Sequence, residues 1–166
     1  AYGYMTGTEL IPHKPESAFL RTDFTAKGST CSIYVPLADA ATTVFHGKTP
    51  TIRNAKENNS NIKDFRQFIC LRQTNPAADP VFMTVIHPHK GTPAVKSAVR
   101  LQPNLLKVET GDRTEYLFIH QDAPLQVNGY TVSGQYGYLS FDKTGKLVNF
   151  HLVNARIKGV ADSGSG

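Results

Sequence analysis

Apolar and polar residues alternate with a period of two through most of the chain, the spacing of strands with one buried face rather than of helices. Cys31, Ile33, Val35 and Leu37 fall on one side of their run, and Ser32, Tyr34 and Pro36 on the other, which predicts a half-buried strand. The run Phe65–Arg72 predicts a second strand, with Arg66 and Arg72 projecting from the same face. Val81–His87 is almost continuously apolar and reads as a more deeply buried strand, separated from the previous one by the loop Asn75–Pro80. Pro88, Gly91 and Pro93 are expected to end it. Val95, Ser97, Val99 and Leu101 then form an inward row, and Lys96, Ala98 and Arg100 an outward, partly basic one.

Two hairpins follow. Leu105–Glu109 and Thr114–His120 flank the turn Thr110–Arg113, where Gly111-Asp112 would supply positive φ angles. Tyr136–Phe141 turns at Asp142–Gly145 and returns through Lys146–Val153. Roughly ten short strands with turn signals every 8 to 12 residues predict an all-β fold, an antiparallel two-sheet β-sandwich. The polar stretch Asn54–Asn61 reads as the longest surface loop. No internal repeat or second core is evident, so residues 1–160 read as one domain. Residues 161–166, ending in Ser163-Gly164-Ser165-Gly166, read as a flexible tail. The start, Ala1-Tyr2-Gly3-Tyr4, has neither an initiator Met nor the basic and apolar stretches of a signal peptide, and is read as a mature chain or an excised domain.

Composition narrows the class further. Of 166 residues, 40% are apolar and 19% charged, enough apolar material for a core and against disorder, and no apolar run is long enough to span a membrane as a helix. Cys31 and Cys70 are too few for a disulfide framework or a cysteine zinc site, which leaves buried thiols or a single bridge. Asn58-Asn59-Ser60 is formally a glycosylation acceptor in a eukaryotic secretory pathway. The net charge of +5 favours an anionic partner. Because the basic residues are dispersed and no nucleic-acid-binding motif is present, an acidic polysaccharide is the more economical partner than nucleic acid.

The sharpest metal-like feature is His87-Pro88-His89, which on a strand would set two imidazoles on one face. It lacks a third ligand nearby in sequence, so no metal or other cofactor is assigned. A self-contained β-eliminase would need a Tyr, His or Lys base beside a charge-stabilising partner; Tyr136, Tyr138, His120, His151 and Arg156 are of the right types, but no spacing joins them, and no catalytic residue is assigned. Paired carboxylates, a phosphate loop and a nucleophile elbow are equally lacking. Tyrosine faces can stack on sugar rings. The candidate ligand-binding residues are therefore Arg66, Arg72, Lys96 and Arg100 for charge, and Tyr136 and Tyr138 for stacking.

The run Phe82–Ser97, an apolar strand, a Pro-His-Lys-Gly turn and another strand, resembles a segment of the C-terminal β-sandwich of heparinase II/III-like polysaccharide lyases. Asp64–Arg72, Glu115–Phe118, Gly134–Leu139 and the Asp142–Gly145 turn are similar to the same domain, so that the resemblance extends over about residues 17–159 in strand order. It implies a secreted or periplasmic multidomain enzyme that cleaves uronate-containing polysaccharide by β-elimination. The helical toroid that such enzymes use is missing here, and none of their catalytic residues has a matching position. The resemblance thus implies an accessory or carbohydrate-binding domain that works beside the catalytic domain of its parent enzyme. The alternatives are a complete lyase and a purely structural packing domain.

Overall fold

In the computed structural model the residues described are 6–12, 17–37, 42–50, 65–73 and 81–159. They form eleven strands: β1 (Thr6–Leu10), β2 (Phe19–Ala26), β3 (Ser29–Pro36), β4 (Thr42–Pro50), β5 (Phe65–Gln73), β6 (Val85–His89), β7 (Ser97–Gln102), β8 (Leu105–Glu109), β9 (Arg113–Val127), β10 (Tyr130–Asp142) and β11 (Leu147–Gly159). The described residues contain no helix, every strand pairing is antiparallel, and the chain is all-β. The loops at 54–61 and 75–80, the Asn58 acceptor and the tail at 161–166 lie outside the described residues.

Two compact units divide the chain, one from 1–17 and 39–80, the other from 18–38 and 81–166. In the first, the strands run in the order β1-β4-β5. Gly47 of β4 sits opposite Phe68 of β5, whose ring lies where a Cβ at Gly47 would be. An aromatic ring laid over a bare strand glycine closes the gap that the missing side chain leaves.

The second unit has two sheets, β2-β3-β6 and β11-β10-β9-β8-β7. Tyr34, Val95, Ala98, Leu106 and Val108 form a buried cluster with Phe19, Met83, Val85 and Leu117, so β2-β3-β6 packs on one face of β7-β8-β9. The opposite face of the larger sheet is covered by the sheet itself. Straight, the 13 residues of β10 would hold its ends roughly 40 Å apart. Instead Asn128, in the turn before it, donates from Nδ2 to the carbonyl of Gly145, in the turn after it, at 3.1 Å. The strand doubles over at Gly134, with φ +130°, and its neighbours bend at the same level through His120 and Asn154, both with φ +47°.

Each bend also shifts the side-chain parity by one. Phe118, Leu139 and Leu152 point inward at even, odd and even positions before or after the bend, whereas Leu125, Val132 and Ile157 point inward at odd, even and odd positions across it. A strand without that extra residue would turn half its apolar row to solvent. At the centre, Phe141 meets Tyr116 edge-on and Tyr130 tilted, each at 5.7 Å between ring centroids. The Phe118 ring fills the space over Gly137. Asn104 holds the bend in β9 from outside, donating to His120 O and accepting from Ile119 N, both at 3.1 Å.

Several expectations are corrected. In β3 Ser32, Tyr34 and Pro36 are buried and Cys31 and Ile33 half-exposed, against the hydropathy pattern, while Val35 is buried as that pattern expects. Tyr34 packs against Phe19 and donates to Val95 O at 3.1 Å, so its polar atom is satisfied inside. In β7 Ala98 is fully buried and Leu101 is 48% exposed, again opposite to expectation, because the small Ala98 lets β3 approach. The strand expected at 81–87 begins only at Val85, runs through Pro88 to His89 and is not deeply buried, Ile86 being 66% exposed. Pro88 is tolerated because β6 is an edge strand. The 110–113 turn has no positive φ at Gly111 or Asp112; it is closed by the Thr110 N to Arg113 O bond and by the Thr110 hydroxyl. The last three strands are long rather than short, and the free thiols are not buried, Cys31 being half-exposed and Cys70 exposed.

A methyl group at Gly134 would overlap the Ala155 backbone and force an alanine into a backbone region reserved for glycine. Gly134→Ala should therefore lower the unfolding free energy in urea by at least about 2 kcal/mol. Gly111→Ala, with open space and ordinary φ, should change it by less than about 0.5 kcal/mol.

Candidate functional site

β6 pairs only with β3 among the described strands, so its far side leaves a gap above the larger sheet. That gap is a cleft of about 360 Å³ within the second unit. Thr84, Val85, Ile86 and His87 form one wall, and Ala94 and Val95 close an end. Leu106, Val108, Leu117 and Tyr138 form the floor, with Thr110 and Glu115 at its margin. The floor side chains converge because they share one face of three neighbouring strands, Leu106 opposite Leu117 and Leu117 opposite Tyr138.

The polar groups of the cleft are few and definite. Tyr138 donates its hydroxyl proton to Glu115 Oε1 at 2.9 Å. Burial, followed by the contact with the Glu115 carboxylate, pushes the Tyr138 phenol above its ordinary pKa, although the nearby Ser140 hydroxyl and the charge of Arg113 pull the other way. His87 accepts the backbone N–H of Ala94 on Nε2 at 3.2 Å, which leaves its proton on Nδ1 as a donor. The lining has one carboxylate and no Lys or Arg. Its walls are mainly aliphatic, so it suits an amphipathic ring that offers hydroxyl donors to Glu115.

Behind the wall, His87 stacks on His89 with ring centroids 5.1 Å apart. His89 Nδ1 lies 2.8 Å from Gly91 O, and its Nε2 2.8 Å from the hydroxyl of the buried Ser32. Ser32 donates to Asp23 at 2.6 Å, and Arg21 binds Asp23 with two hydrogen bonds of 2.9 and 2.7 Å. This chain of bonds fixes β6 to β3 and β2. The imidazoles do share a side of the strand, as the spacing predicted, but both nitrogens of His89 and one of His87 are engaged by protein groups. No set of three metal-ligating residues occurs among the described residues.

The six residues singled out from sequence are divided between the two units. Arg66 and Arg72 are exposed on β5, in the first unit. The other four belong to the second. Lys96 is exposed; Arg100 is half-buried, its guanidinium bonded to Pro103 O through Nε at 2.9 Å and through Nη2. Ala98, between them, is core. Tyr136 shares a face with Tyr138 but sets its ring edge-on to His151 at 6.2 Å between centroids. Of the six, only Tyr138 lines the cleft. Sequence reasoning missed Glu115 and weighed His87 only as a metal ligand. The signal for Glu115 was a lone acid with the parity of Leu117 in a hairpin strand, which says nothing of its partner two strand positions away on β10.

No family model matches the chain, and neither a curated protein nor a solved structure does.

Among the described residues, three carboxylates of the second unit, Asp23, Glu109 and Asp142, are held below their ordinary pKa, and the first two are paired with cations. The Arg21 guanidinium and then the Ser32 hydroxyl hold Asp23 below the ordinary carboxylate pKa, against the effect of burial, and Lys107 and then Ser97 do the same for Glu109. A lowered folded pKa gives stability that is present above the unfolded value and is lost as pH falls through the folded one. Thermal midpoints should thus drop on acidification below the usual carboxylate range, and Asp23→Asn with Glu109→Gln should flatten that drop. Both pairs are partly exposed, so each should account for no more than about 1 kcal/mol.

Proposed function

We propose that the chain is a β-sandwich accessory domain of a polysaccharide-degrading enzyme, non-catalytic by itself, which acts outside the cytoplasm and binds glycan beside its catalytic partner domain. The observation that carries this reading is the cleft: an aliphatic floor, a His87 donor and the Glu115–Tyr138 pair, arranged within reach of one sugar-sized ring. A lone carboxylate repels uronate and accepts hydroxyls, so the unit best suited to the cleft is a neutral one. The raised Tyr138 pKa makes this phenol a poor base for β-elimination, because such a base must be deprotonated near working pH.

Acidic polysaccharide is the second reading. It is favoured by Arg66 and Arg72, both exposed on one face of β5 with no acidic partner among the described residues.

Affinity electrophoresis in gels carrying neutral or acidic polysaccharides separates the readings. Retardation by a neutral glycan, insensitive to salt and reduced about tenfold or more by Glu115→Gln, is the expected result. Retardation by an acidic glycan alone, weakened by salt and lost in Arg66→Ala with Arg72→Ala, would establish the second reading instead. Migration unchanged in every gel would rule out both and leave the packing domain.

A further inference from the structure

β11 is the outermost strand of the larger sheet, and no described strand pairs with its far edge. An open edge exposes a row of backbone donors and acceptors, and natural strands guard such edges with charged side chains, proline, bulges or very short length. β11 has 13 residues. A bulge at Val148, where Ser140 and Phe141 of β10 face Asn149 and Leu147, and the bend at Asn154 bracket the regular run Asn149–Val153. That run contains no Lys, Arg, Asp, Glu or Pro. Beside the exposed polar Asn149 and His151 it presents exposed apolar side chains: Val148 is 47%, Phe150 55% and Val153 43% accessible.

Charge indicates what pairs there. From Lys143 to Lys158 there are four Lys or Arg and no acid. Arg156 and Lys158 are exposed and have no ion-pair partner among the described residues. A partner strand that carries acids would meet these cations with opposite charge.

We propose that the edge of β11 is a strand-addition surface for an extended segment of a separate polypeptide in which apolar residues alternate with Asp or Glu. Backbone pairing along Asn149–Val153 gives register, Val148, Phe150 and Val153 take the apolar side chains, and the flanking cations take the acids. This surface is independent of the cleft and of any glycan.

The test uses the full chain and a synthetic peptide, acetyl-EVEVEVE-amide, with KVKVKVK and an alternately N-methylated EVEVEVE as comparisons. The expected result is salt-sensitive binding of the first peptide only, with slowed amide hydrogen exchange confined to β11 and strongest at Asn149–Val153. Arg156→Glu with Lys158→Glu, both exposed, should weaken it at least tenfold while the thermal midpoint stays in place. Failure of EVEVEVE to bind, equal binding of KVKVKVK or of the N-methylated peptide, or protection lying elsewhere would each overturn the proposal. Protection of Asn149–Val153 that grows with the concentration of the chain alone, with dimers in sedimentation, would assign the edge to a second copy instead.

Discussion

The second unit depends on one backbone event, the doubling of three long strands at a shared level. A flat five-stranded sheet with apolar residues on both faces needs a cover for each, and β2-β3-β6 covers only one. Folding the distal ends of β9, β10 and β11 back over the remaining face supplies the second cover from the same chain. The cost is a left-handed residue in each strand. Glycine bears it at position 134, where the Ala155 backbone leaves no space for a side chain, and the bond between Asn128 and Gly145 joins the two ends. The parity shift that accompanies the bend lets Leu139 and Val132, seven positions apart, face the same interior.

The other face is where the candidate site forms, and for a related reason. β2-β3-β6 is narrower than the sheet it covers, so the floor beyond β6 remains open as a cleft. The polar chain from Arg21 through Asp23 and Ser32 to His89 keeps β6 in place at that boundary, and stacking of His87 on His89 presents His87 to the opening. Positioning thus comes from hydrogen bonds, whereas the shape comes from the mismatch in sheet width.

The same hydrogen bonds explain why local patterns misread the interior. In β3 a hydropathy pattern sends Tyr34 and Ser32 to solvent, yet both are buried because the interior offers Val95 O to one and Asp23 with His89 to the other. The basic residues show a complementary limit of local patterns. Shared parity placed Lys96 with Arg100 and Arg66 with Arg72, but parity relates neighbours on one strand only. It did not foresee that Ala98 between the first pair would pack into the core, or that the second pair would belong to another unit. Glu115 and Tyr138 are 23 residues apart in the chain, and only the β9–β10 register brings them to 2.9 Å.

By itself the amino-acid sequence determined that the chain is all-β, where the 110–113 and 142–145 turns fall and which runs pair across them, because extended backbone and tight turns are local properties with local signatures. Asn128-Gly129 and Lys27-Gly28, each with two positive φ angles, are hairpin turns of the same legible kind. The tertiary structure alone decided which side of each strand is interior, that three strands double over together, and that Glu115, Tyr138 and His87 meet in one cleft. Those outcomes rest on contacts between strands far apart in sequence. A period of two is the same whichever face is buried, so the alternation reports that a strand exists and leaves its partner, its cover and its site to packing.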